Sequence, residues 1–115
     1  MSKAEQPVYL KLREKIAAAI LDGRYGDGDS LPSVRAFAAE EGANPLTVAK
    51  AYQTFQDDGI VVVRRGVGMF VANGASERLR TRERATFLND EWPEIQRRID
   101  RLGLDATELL DRELA

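Results

Sequence analysis

The chain contains neither cysteine nor histidine. The first absence excludes disulfides and thiol chemistry, and the second removes the usual zinc ligands and the commonest general base. Long apolar runs are missing too. No stretch approaches the roughly 20 apolar residues of a membrane-spanning helix, and the polar start, Met1 to Pro7, does not resemble a signal peptide, so a cytoplasmic protein without membrane contact is expected. An excess of positive charge is absent as well, the net charge being −2. Residues 1–72 carry nine Lys or Arg against nine Asp or Glu, and residues 73–115 carry eight against ten. A nucleic-acid binder with this balance needs a local basic patch, repeated by dimerisation, because phosphate neutralisation depends on Lys and Arg.

At 115 residues and 43% hydrophobic, the chain has material for one small core and an appendage. After Pro7, the residues Val8, Tyr9, Leu12, Ile16, Ala19 and Ile20 form the apolar stripe of a first helix, with Lys11, Glu14 and Lys15 facing water. A glycine-rich loop follows from Arg24 to Ser30. Ser33 is then placed to cap a short second helix with Val34, Phe37 and Ala38 inward, and Gly42 to end it in a left-handed conformation. Asn44 and Pro45 begin a third helix, whose N-terminus is expected to be open to a partner. Val48, Ala51, Tyr52 and Phe55 give this helix a buried side. Leu46, Lys50 and Gln53, flanked by Thr47, remain for an outer face.

Two short helices around Gly42-Ala43-Asn44 have the pattern of a helix-turn-helix, in which the second helix enters the major groove. The β-branched run Ile60 to Val63, the basic tip Arg64-Arg65-Gly66-Val67-Gly68 and Met69-Phe70-Val71 then read as a β-hairpin. This order is that of a winged helix. The fold class expected is mainly α with a small antiparallel hairpin, a winged helix-turn-helix followed by a helical segment. Two adjacent arginines before Gly66 suit backbone contact or entry into a minor groove.

From Asn73 the composition becomes charged and helical. The arginines at 78, 80, 82 and 84, interspersed with Glu77 and Glu83, read as a solvated face. Phe87, Leu88, Trp92, Ile95, Ile99 and Leu102 form an apolar stripe that Pro93 breaks or restarts, and a last helix from Leu104-Asp105 carries Leu109, Leu110 and Leu114. A segment this short buries such a stripe best against a symmetry mate, so Trp92, Ile95, Ile99, Leu102 and Leu109 are expected in a dimer interface.

Catalysis lacks its raw material. No nucleophile–base pair, metal-ligand cluster or phosphate-binding loop occurs, and Arg65-Gly66-Val67-Gly68 lacks the strand–glycine–helix context of a dinucleotide site, so neither enzyme activity nor a cofactor or metal is expected.

Pro7-Val8-Tyr9, Leu31-Pro32-Ser33-Val34-Arg35, Gly42-Ala43-Asn44-Pro45, Thr47-Val48, Ala51-Tyr52, Gly59-Ile60 and Arg65 to Val71 together resemble the GntR family of bacterial transcription regulators, within it the YtrA-like branch with a short helical C-terminal segment. The resemblance implies a winged-helix DNA-binding domain over 7–72, dimerisation through 73–115, and a homodimer on an inverted-repeat operator in double-stranded DNA, acting as a repressor. Family contacts fall on Arg35, Thr47, Lys50, Arg65 and Gly66. With the flanking positions, the expected interface is Ser33, Arg35, Asn44, Pro45, Leu46, Thr47, Lys50, Arg64, Arg65 and Gly66. Leu46 departs from the polar residue that relatives often have there, so apolar contact, as with a thymine methyl, or no base contact is expected. A small-molecule effector would act by changing the spacing of the two recognition helices through 73–115. The alternative is an adaptor that keeps the winged fold and binds another protein through its helical tail.

Overall fold

The computed structural model describes residues 7–112. In chain order these form α1 (Val8–Leu21), α2 (Val34–Glu41), α3 (Pro45–Asp57), β1 (Val61–Arg64), β2 (Gly68–Val71), α4 (Ala75–Thr86), a π-helical turn (Phe87–Glu91), α5 (Trp92–Arg101) and α6 (Ala106–Asp111). The architecture is the expected one, mainly helical with a single antiparallel hairpin. Two compact units divide the chain, the first reaching Arg80 and the second beginning at Thr81.

Helix α3 is the centre of the first unit. Its Val48, Ala51, Tyr52 and Phe55 are at most 1% exposed and meet Leu12, Ile16, Ala17 and Ile20 of α1 and Phe37 and Ala38 of α2. The α1 stripe sits differently from its sequence reading: Val8 is exposed, Ala19 is half-buried and Ala17 is buried. At about 100° per residue the buried face is centred between Ile16 and Ile20, which leaves Val8 roughly a quarter turn off it. Tyr52 brings a hydroxyl into the core and donates it to the Pro32 carbonyl at 2.7 Å. Burial pushes that phenol's pKa well above its ordinary value.

The hairpin pairs Val61 with Val71, Val62 with Phe70, Val63 with Met69 and Arg64 with Gly68. Only Val61 of β1 is buried; Val62 and Val63 are exposed, because a two-stranded ribbon with one free face does not enclose every β-branched residue. The loop before α2 completes the ladder. Ser30 bridges Phe70, the Leu31 N–H donates to Met69 O at 2.9 Å, and the Val71 N–H donates to Asp29 O at 2.9 Å.

The core extends into α4, where Ala75 and Leu79 are fully buried. Three polar ties hold this end of the helix. Asp27 accepts from the Gly74 N–H (2.7 Å) and from the Ser76 hydroxyl (3.0 Å) and N–H (3.3 Å). Arg78 donates to Gly59 O at 2.7 Å and to Asn73 O at 3.1 Å, and Arg80 donates to Leu21 O at 3.2 Å. Two of the arginines expected to be solvated are therefore bound to backbone carbonyls.

In the second unit Pro93 lies in the first turn of α5, immediately after the π-helical turn. Proline has no N–H for the α-helical ladder, and the preceding turn widens so that Trp92 N–H reaches Phe87 O. The chain thus restarts its α-helix at the proline. Gly103, at φ 67°, closes α5, with the Leu104 N–H returning to Ile99 O at 3.0 Å. Asp105 caps α6 by accepting the Thr107 N–H at 2.8 Å. Leu114, expected on the apolar side of α6, lies outside the described residues. No helix among the described residues is long and apolar enough to cross a membrane.

Candidate nucleic-acid interface

Local rules place both helices of the helix-turn-helix. Ser33 Oγ accepts the Ala36 N–H at 3.0 Å to cap α2, and Gly42, at φ 64°, ends it. This glycine is required, since other residues rarely adopt that backbone conformation. Asn44 then starts α3 with its side chain accepting the Leu46 N–H at 2.8 Å.

The first turn of α3 is exposed at Asn44, Pro45 and Leu46, as expected, but its backbone donors are not free. Pro45 has no N–H, the Leu46 N–H goes to Asn44 Oδ1, and those of Thr47 (2.9 Å) and Val48 (3.1 Å) go to Asn44 O. A phosphate approaching this turn finds its backbone donors already used or missing. Side chains must carry recognition there. Leu46 is 80% exposed, Pro45 and Lys50 are also exposed, and Thr47 is half-buried.

Lys50 stands with Nζ 4.2 Å from the ring centroid of Tyr9, in the first turn of α1. The cation–π contact fixes where the ammonium sits and leaves its other side available. Gln53 is committed elsewhere, donating to Asp57 Oδ1 at 3.0 Å within α3. Arg35, exposed in the first turn of α2, has no hydrogen bond or ion pair among the described residues, and neither has Arg65. Arg64 lies over the Phe70 ring, 4.7 Å from its centroid, with Gly66 at φ 78° forming the hairpin tip.

The Ser30–Phe70 bridge and the Leu31–Met69 bond attach the hairpin to the segment that runs into Ser33, and Tyr52 attaches α3 to Pro32 of that segment. Arg35, the α3 outer face and the hairpin thereby belong to one hydrogen-bonded unit. Two other cations of this unit, Arg13 and Lys15, serve the fold. Arg13 donates to Thr54 Oγ1 at 3.1 Å, lies 3.4 Å from Asp58 and covers the Phe55 ring, while Lys15 pairs with Glu41.

Sequence reasoning missed Tyr9 as the support of Lys50 and Asp27 as the cap of α4. The members of each pair are about 40 or more residues apart, and no local pattern links them. Donation from the Gly74 and Ser76 N–H groups, and from the Ser76 hydroxyl, holds the Asp27 carboxyl below its ordinary pKa.

The second unit presents a different surface. None of its described residues is buried. Trp92, Ile99 and Leu109 are half-buried, Trp92 lying 6.3 Å from the Phe87 ring between centroids, whereas Ile95 is exposed, Leu102 is 62% exposed and Leu110 is 86% exposed.

The family described as bacterial regulatory proteins, gntR family, matches residues 8–71. The HTH-type transcriptional repressor YtrA of Bacillus subtilis is 30% identical over 104 residues, covering 90% of this chain and 74% of that protein. YhcF, an HTH-type transcriptional regulator of the same organism, is 36% identical over 73 residues, 64% of this chain; the match spans 60% of YhcF, less than two thirds of its length. Among solved structures, a GntR family transcriptional regulator from Listeria monocytogenes superposes with a TM-score of 0.73 at 25% identity, covering 95% of this chain and 94% of that one. The AraR DNA-binding domain in complex with operator ORX1 superposes with a TM-score of 0.59 at 25% identity, covering 63% of this chain and 87% of that one.

Proposed function

The chain belongs to the gntR family of bacterial regulatory proteins, and we propose that it is a sequence-specific repressor that binds an inverted-repeat operator as a homodimer. One observation carries the reading: Arg35, the outer face of α3 and the Arg64-Arg65-Gly66 tip extend from a single unit whose core is complete without them. In this arrangement α3 enters the major groove, with Leu46, Thr47 and Lys50 toward the DNA, and the hairpin tip follows the backbone or the adjacent minor groove. The operator-bound AraR domain supports the DNA partner, and the repressor YtrA supports the direction of regulation.

Residues 7–72, completed by the start of α4, form the DNA-binding part, and the remainder of 73–115 forms the dimer. The uncovered Ile95, Leu102 and Leu110 support that assignment. Dimerisation matters for affinity because the chain carries no net excess of positive charge. Two-fold symmetry places half-site centres about 34 Å apart, one helical turn, on one side of the duplex.

Selection of bound sequences from a random DNA pool tests all of this together. A palindromic consensus with that spacing is expected. No enrichment and no gel shift at low salt would overturn the reading, and an enriched single half-site would overturn the dimer.

A further inference from the structure

We infer that Leu46 reads the C5-methyl group of a thymine in each half-site, so that an A·T pair lies beneath the first turn of α3. This rests on the DNA-binding reading above and adds the class of base recognised. A helix entering the major groove usually brings polar donors at its tip. Here the N–H groups of Leu46, Thr47 and Val48 are held by Asn44 at 2.8, 2.9 and 3.1 Å, and Pro45 supplies none. The tip is therefore chemically an apolar group, Leu46 at 80% exposure beside the exposed Pro45.

A leucine side chain cannot satisfy the donors or acceptors of guanine, cytosine or adenine, and pressing it against them would desolvate those groups without compensation. The one apolar feature on the major-groove edge of B-DNA is the thymine methyl. Charged groups nearby do not compete for the same role. Lys50, held against Tyr9, and Arg35, without a hydrogen bond or ion pair among the described residues, are suited to phosphates, which position the helix without reading sequence. A solitary exposed leucine elsewhere on a surface would need no explanation. Leu46 differs because it projects from the first turn of the helix whose opposite side forms the core.

The test uses the full chain and a duplex obtained by the selection described above. Each thymine is replaced in turn by deoxyuridine, which removes one methyl and leaves every hydrogen bond in place. Wild type and Leu46→Ala are titrated on each duplex, with thermal unfolding confirming that the variant folds. At one thymine per half-site the replacement should weaken wild-type binding about fourfold, the factor given by about 0.8 kcal/mol for one methyl-sized group, and about fifteenfold when both half-sites are changed. Leu46→Ala should bind the thymine and deoxyuridine duplexes equally. Tolerance of deoxyuridine at every position by a wild type that still binds the selected duplex would overturn the inference and leave DNA binding intact. A penalty that persists in Leu46→Ala would assign the methyl to another side chain and overturn it as well. Failure to select any duplex at low salt would remove both readings.

Discussion

Helix α3 carries Val48, Ala51, Tyr52 and Phe55 along one side, and α5 with its C-capping Leu102 carries Trp92, Ile95, Ile99 and Leu102 along one side, yet the first four are at most 1% exposed while Leu102 leaves 62% of its surface to solvent. Periodicity places apolar residues on a helix in both cases. It does not supply something to cover them. In the first unit the cover comes from α1, α2, the hairpin and the start of α4. Among the described residues of the second unit the chain offers the end of α4, the π-helical turn and α6, and none of the residues there becomes buried. One helix has found its core inside its own unit, and the other has none of its described residues buried.

The largest effect should come from a residue that lies beyond the hairpin yet belongs to the first core. Leu79 is fully buried, so Leu79→Ala should destabilise the first unit by about 2–5 kcal/mol in chemical denaturation, the range for emptying a well-packed leucine site. A loss below ~1 kcal/mol would mean that α4 rests on this core without completing it. Next comes the other side of the comparison. A charge within the α5 stripe, Ile99→Asp, should weaken self-association by a factor corresponding to about 2 kcal/mol or more, measured by sedimentation equilibrium. The denaturation midpoint of the first unit should stay in place. If Ile99→Asp instead lowers that midpoint as far as Leu79→Ala does, α5 serves the first core and the contrast between the two helices disappears.

Local grammar explains which parts were legible in the sequence. Ser33, Gly42, Asn44 and Asp105 act through backbone groups two to five residues away; the first three were visible as caps or a helix stop, and Asp105 as part of a helix start. The α3 stripe was equally plain, because all four of its apolar residues serve one core. Val8 was misread since spacing fixes a stripe only to within about one residue's rotation, and the partner helices decide where its centre falls. The exposed, capped N-terminus of α3 was legible as well; that Asn44 uses both its side-chain oxygen and its carbonyl on the first turn, so that few donors are left for a ligand, was not. Arg78 and Arg80 looked like solvated charges because carbonyls 19 and 59 residues away cannot be inferred from helical spacing.

A smaller effect should separate geometry from bulk within the first core. Tyr52→Phe keeps the ring that packs near Phe37, with centroids 6.2 Å apart, and deletes only the hydroxyl bonded to Pro32 O. The loss should be about 1 kcal/mol, with up to ~3 kcal/mol if the carbonyl is left dry and unpaired. Affinity for operator DNA should fall further than stability alone explains if this bond sets the position of α3 against α2, and a gel-shift titration at a temperature where the variant is fully folded distinguishes the two.

The smallest expected effect concerns the end of α4 that joins the first core. Asp27 accepts two backbone N–H groups and a hydroxyl at the start of α4, and its pKa lies below the ordinary value of 3.8. The native state therefore prefers the ionised carboxylate more strongly than the unfolded chain does. The stabilisation it gives should be fully present above that ordinary value and should be lost as the pH falls through the lower native pKa, because the native state must then take up a proton that breaks the cap. Asp27→Asn keeps an oxygen acceptor but cannot ionise. The gap in thermal midpoint between wild type and variant should thus be constant from pH 7 down to about 5 and close progressively below about pH 4. A gap that stays constant on acidification would show that Asp27 acts at α4 through its shape and hydrogen-bond geometry, with its charge contributing nothing.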